Sequence, residues 1–184
     1  QEAISRPFSA RIELVSERAN LKLEDLLHQR AFLHFEDSAD GKVKGLHGEI
    51  GEISQGDTGK RFTRYFIQLV PSLKRLEHRS NHRIFQNLEV PEIIGQLLKD
   101  HGILANDYVF KLFEPCKPRA YCTQYHETDL HFLRRLCEEE GLHFHFEHSL
   151  DKHLLVFADD PIQLRALEAP VAYKQGSGLV DRTP

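Results

Sequence analysis

The stretch "YCTQYHETDLHFLRRLCEEEGLHFHFEHS", residues 121–149, decides how the rest of the chain is read. It opens on a strand-like run, "YCTQYHE", and then turns helical. Thr128 has the side chain of an N-cap, Asp129 suits the positive end of a helix, and Gly141 suits its stop. Between them Leu130, Leu133, Leu136 and Cys137 recur at helical spacing and form one apolar face. The period then returns to two. In Leu142 to Glu147, Leu142, Phe144 and Phe146 point to one side, while His143, His145 and Glu147 point to the other. Strand, helix, strand is therefore the expectation for residues 121–148.

This stretch holds five of the chain's twelve histidines, which raises the question of a metal. Two histidines at i and i+2 on a strand can bind one, but a site needs at least one further ligand from elsewhere. His148 falls on the opposite face, and His131 has no HExxH partner on its helix. A half-buried strand with His143 and His145 on its polar face is the preferred reading. Catalysis finds no better footing. There is no GxSxG elbow, P-loop, GxGxxG turn or carboxylate pair, and Cys122 with His126 is read as a buried structural cysteine near an unrelated histidine. The expected site list is accordingly empty of catalytic, metal-ligating and cofactor-binding residues.

Glu138, Glu139 and Glu140 violate a rule, because acidic side chains at a helix C-terminus oppose the macrodipole at roughly 0.3–1 kcal/mol each. Arg134 and Arg135 lie one turn earlier and offset part of this. Two readings follow: a solvated helix end, or acids that meet basic groups on another domain or subunit.

Working outward, "VPEIIGQLLKDHGI" (residues 90–103) is a second helix. Pro91 fits its first position, Ile93, Ile94, Leu97 and Leu98 form its apolar stripe, and Gly102 is its stop. "YVFKLF" and "HLLVFAD" read as further strands. The first half is strand-rich. "FSARIELV" alternates, with Phe8, Ala10, Ile12 and Leu14 on one face. "LKLEDLLHQ" reads as a helical turn, and "AFLHFE" follows as a strand. Residues 36–45 form a polar loop joining antiparallel strands; "GLHGEIGEIS" is a bent or bulged strand, and "FTRYFIQLVP" is a long one. Short strands at this spacing favour an antiparallel barrel or sandwich over βαβ units.

The 184 residues, 40% apolar and of net charge −4, carry enough hydrophobic content for a core and no basic excess to attract nucleic acid. The three cysteines, Cys116, Cys122 and Cys137, match no zinc or CxxC spacing and read as reduced thiols. No apolar run approaches the roughly 20 residues of a membrane span, and "QEAISRPFSARIE" lacks a signal-peptide core. A soluble protein of a reducing compartment, or a piece of one, is expected.

The same stretch resembles the signature of the VgrG spike proteins of type VI secretion, [YC]-x-Q-Y-x-E-[ST]-D-x-x-F-x-x-R-L-x-E-x-E-G. Gln124, Tyr125, Glu127, Thr128, Asp129, Phe132, Arg135, Leu136, Glu138, Glu140 and Gly141 fill its slots. A second block, "HRIFQNLEVPEII", is similar to that family's R-x-F-Q-x-x-[ST]-V-P-E-I-I. It is matched by Arg83, Phe85, Gln86, Val90, Pro91, Glu92, Ile93 and Ile94, with Glu89 in place of the usual small N-cap hydroxyl. "VAYKQGSGLVDRTP" resembles the linker that follows.

The resemblance implies a mainly β fold with a few helices: an antiparallel β-barrel of phage tail hub type, residues 1–88, plus a helix-bearing α+β outer lobe, residues 89–184, incomplete at its C-terminal end. It implies a homotrimer in which two related barrels per subunit match a hexameric Hcp tube. A needle tipped by a PAAR protein, effectors and a second barrel would lie in regions beyond this chain. No enzyme activity, cofactor or nucleic acid is implied. Such a spike is assembled in the bacterial cytoplasm and then secreted or injected into target cells. The alternatives are a hub protein of a contractile phage tail and, from another class, a small metal-dependent hydrolase using His143, His145 and an acidic partner.

Overall fold

The computed structural model describes residues 1–35 and 44–164. The loop expected over residues 36–45 and the linker-like tail therefore lie mostly or wholly outside the described residues. In the first part, β1 (Ala10–Ser16), β2 (Arg30–Phe35), β3 (Lys44–Thr58) and β4 (Thr63–Val70) form one antiparallel sheet in the order β1-β4-β3-β2. Among the described residues a single turn of helix, α1 (Leu23–Leu26), interrupts them. The alternation read in the first strand sets its register: Ala10 lies opposite Leu69 and Ile12 opposite Ile67, while Arg11 and Glu13 face out. Leu14 departs from the pattern and is 43% exposed. The bulge read in the glycine-rich strand falls at Gly51, where the register shifts between Ile50 and Glu52. The result is a curled half-barrel of antiparallel strands.

A 3-10 helix (Ser72–His78) leads into β5 (Ser80–Phe85), α2 (Val90–Asp100), β6 (Tyr108–Lys111), β7 (Cys122–Thr128), α3 (Asp129–Glu139), β8 (His143–His148) and β9 (His153–Ala158). β5 and β7 form an antiparallel ribbon, and β6-β9-β8 form a three-stranded sheet. One pair, β6 with β9, is parallel, an orientation that strand spacing alone does not reveal.

Both helices carry the ends read from sequence, with one shift: Pro91 occupies the second helical position, because α2 begins at Val90. Glu92 accepts a hydrogen bond from the Glu89 backbone N–H at 2.8 Å, half of a capping box in which a longer acid replaces serine or threonine. Thr128 Oγ1 accepts from the His131 N–H at 3.1 Å. Gly102 and Gly141 end the helices with φ of +74° and +69°, the left-handed conformation that costs other residues most.

The core gathers the apolar faces of α2 and α3, Leu73 and Leu76 of the 3-10 helix, and Phe144, Phe146, Leu155 and Phe157 of the third sheet. Phe8, from before β1, enters the same cluster. Packing thus continues across residue 88, since β5 pairs with β7 and the 3-10 helix lies beneath α3.

Candidate functional site

Three of the signature residues, Arg83, Gln124 and Asp129, meet at the start of α3. Asp129 is wholly buried and sits there because β7 delivers the chain directly into the helix. Its Oδ1 accepts hydrogen bonds from Arg83 Nη2 at 2.6 Å, Gln124 Nε2 at 2.8 Å and Asn81 Nδ2 at 2.9 Å. Its Oδ2 accepts from His101 Nε2 at 2.7 Å and Arg79 Nε at 2.9 Å. Burial alone would raise the pKa of this carboxyl. The hydrogen bonds from Asn81, Gln124, His101 and Arg79 outweigh it and hold the group well below the usual carboxylate range. With both oxygens saturated, Asp129 has no lone pair free to accept a proton from a substrate. It is a structural anchor rather than a general base.

A second knot lies one turn along. Glu127 accepts from Arg135 Nη2 and from His131 Nδ1, each at 2.6 Å. Burial opposes ionisation here too, and the Arg135 and His131 bonds win, lowering the Glu127 pKa. Arg135 also donates to the Thr123 carbonyl at 3.0 Å and stacks over Phe132 at 5.1 Å. Phe132 in turn stacks on Phe85, with centroids 5.8 Å apart. Of the remaining signature positions, Pro91 lies in the first turn of α2, Gly141 ends α3, and Gln86 and Tyr125 are exposed. Tyr125 lies edge-on to His82 and His126, on the outer face of the ribbon.

Sequence reading missed Arg79, Asn81 and His101. Arg79, Asn81 and Arg83 recur at period two, a signal that could have placed all three on one strand face. His101 carries no comparable signal, because only the end of α2 brings it to Asp129.

Two of the three glutamates, Glu139 and Glu140, find counter-charge inside the chain. Arg119, in the loop before β7, donates to both Glu139 and Glu140. Arg135 reaches Glu139 at 2.8 Å. Glu138, whose side chain is 73% exposed, has among the described residues only the distant Arg134 at 4.0 Å.

His143 and His145 stand on the half-buried polar face of β8, their rings stacked 6.1 Å apart, with Phe144 and Phe146 buried on the other side. Among the described residues no three His, Cys, Asp or Glu side chains gather as metal ligands. Cys122 and Cys137 are buried free thiols. Burial pushes Cys137 up to about 12, so it is no nucleophile. His126 packs its ring on His82 at 4.6 Å.

The phage tail baseplate hub (GPD) family matches residues 1–183. Two Pseudomonas aeruginosa proteins are similar over the whole chain. The type VI secretion system spike protein VgrG4b is 52% identical over 183 residues, 22% of its own length. VgrG5 is 54% identical over 185 residues, 23% of its length. The chain therefore spans less than a quarter of these relatives. Among solved structures, the Escherichia coli c3393 protein, a type VI secretion component with structural similarity to the T4 tail proteins gp27 and gp5, aligns over 90% of this chain and 45% of its own. Its TM-score is 0.81 at 28% identity.

Proposed function

Since the chain belongs to the phage tail baseplate hub family, we propose that it is the N-terminal hub portion of a type VI secretion spike, with a structural and not a catalytic role. The observation that carries this reading is the full-length similarity to spike proteins at above half identity. It favours a secretion spike over the hub of a contractile phage tail, and nothing in the comparisons favours a metal-dependent hydrolase. In this reading the longer protein trimerises, and its hub caps a hexameric Hcp-like tube. In this reading the half-barrel of β1–β4, within residues 1–88, faces that tube, and the helix-bearing part that follows belongs to the outer lobe. A PAAR tip and effectors join through regions beyond this chain. The spike assembles in the bacterial cytoplasm before it is secreted. The acidic run Glu138, Glu139 and Glu140 contacts a neighbouring subunit in this reading, with Glu138 the most exposed of the three.

The test is to mix the full-length protein with purified hexameric tube rings. Its mass is read by light scattering, with and without a chelator, and the rings are imaged by electron microscopy. A trimer indifferent to chelation that caps ring ends is expected. Uncapped rings would reject the hub role, and a chelation-sensitive mass would restore the metal reading.

A further inference from the structure

A second buried polar cluster joins the first sheet to the β8–β9 hairpin and takes no part in the Asp129 network. His47 stands on β3, His148 ends β8 and His153 opens β9; His47 and His153 are 4% and 7% exposed. Their Nδ1 atoms face each other at 3.0 Å. The Ser72 backbone N–H donates to His153 Nε2 at 3.1 Å, with Ser72 Oγ 3.0 Å from the same nitrogen. The His47 backbone N–H donates to His148 Nδ1 at 3.2 Å. Phe8 lies edge-on to His148 and His153, with ring centroids 5.1 and 6.1 Å away.

The backbone donors settle the tautomers. A backbone N–H can only donate, so His153 Nε2 is bare and the neutral ring carries its proton on Nδ1. That proton points at His47 Nδ1, which must therefore be bare, with the His47 proton on Nε2. By the same logic His148 carries its proton on Nε2, 3.7 Å from the Glu2 carboxylate. One proton bridges His47 and His153, and the geometry has no place for another. Added to His47 Nδ1, it would confront the Nδ1–H of His153. Moving the latter to Nε2 would confront the Ser72 N–H.

The surroundings do not relieve this. Arg30 on β2, Arg75 on the 3-10 helix and Lys152 beside His153 add positive charge around the pair. Glu49 faces it but is already engaged by Arg75 through both carboxylate oxygens. Asp107 lies at the rim, and Asp151 and Glu2 are solvent-exposed.

We propose that His47, His148 and His153 form an acid-released latch, which in its neutral form ties the first sheet to the 3-10 helix and the β8–β9 hairpin and lets go when the rings take up protons. Burial pushes His153 down to about 3, and it also lowers His47 and His148 from the ordinary 6.5. A histidine depressed in the closed state favours closure fully above its free pKa, and that preference drains as pH falls from 6.5 toward the closed value. The latch therefore loosens progressively as pH falls below about 6.5, and it begins to do so above the ordinary carboxylate values of about 3.9 and 4.3.

Amide hydrogen exchange, corrected for intrinsic rates, tests this on the unaltered chain at pH 7 and pH 5. For one histidine with an ordinary pKa when open and about 3 when closed, protection at pH 5 falls on the order of thirtyfold. That loss is expected at the His47 and Ser72 amides, while Ile94 and Leu133 in the helical core keep theirs. Nitrogen NMR of the rings is expected to show His153 with its proton on Nδ1 and His47 with its proton on Nε2 at pH 7. His153→Phe, which cannot titrate, is expected to flatten the dependence of stability on pH over this window. Unchanged protection at His47 and Ser72 at pH 5 would overturn the latch, as would a folded-state ring titration of His47 or His153 near 6.5.

Discussion

Arg83 Nη2 lies 2.6 Å from Asp129 Oδ1, although 46 residues separate them in the chain. The bond ties the ribbon strand β5 to the first turn of α3. Arg83 also reaches Asp100 at the end of α2, at 2.7 Å. One guanidinium thus joins a strand and both long helices. Asp129→Asn would replace an acceptor oxygen by a donor, aimed at groups that are themselves donors. We expect the variant to lose roughly 3–5 kcal/mol, the cost of breaking a buried, hydrogen-bonded charge pair. Urea denaturation measures it, and a loss under about 1 kcal/mol would mean the network contributes little to the fold.

The same carboxylate sets an acid limit. Its folded pKa lies below its ordinary 3.8, so its contribution is complete above that value and is lost as pH falls below it. Thermal melts from pH 5 down to pH 2 should show a steep decline in the parent protein and a shallower one in Asp129→Asn. Parallel profiles would assign acid unfolding to other groups.

Glu139 and Glu140 hold Arg119 and so pin the loop before β7. Reversing both to lysine would set two cations against Arg119 and Arg135. The reversal should therefore destabilise the fold itself, by roughly 1–3 kcal/mol for these partly exposed pairs. Adding Arg119→Glu should recover part of the loss in a double-mutant cycle. Full stability of the reversed protein would return these acids to the role of a solvated surface.

Leu133 is wholly buried on the core face of α3. Leu133→Ala removes its contacts with the core and leaves a cavity, with an expected cost of roughly 2–5 kcal/mol. A change within about 0.5 kcal/mol, as for an ordinary surface substitution, would contradict that placement.

Gly141 offers a cleaner test of backbone conformation, because a Cβ built there meets nothing within 4 Å and its φ is +69°. Gly141→Ala should therefore cost about 1 kcal/mol through conformation alone. Chemical denaturation checks it, and a stabilised variant would show that the helix can end without the left-handed residue.

Local order was legible in the sequence because its causes are local. Alternation in residues 10–13 and 142–147 named the faces of their strands, since side chains of a strand alternate by geometry. Thr128, Gly102 and Gly141 named helix ends, since capping bonds and left-handed turns involve only neighbouring residues. The spaced motifs picked out Arg83, Gln124, Glu127, Asp129, Phe132 and Arg135 as a set, without saying what held them together. Only the tertiary structure decided the rest. Arg119 meets Glu139 and Glu140, His101 reaches Asp129, and β6 runs parallel to β9 because packing brings together residues far apart in the chain, and no local period records those meetings. The histidines divide along the same line. His143 and His145 were readable as the polar face of one strand. His47 and His153 became a pair only when the folded sheets placed two ring nitrogens 3.0 Å apart.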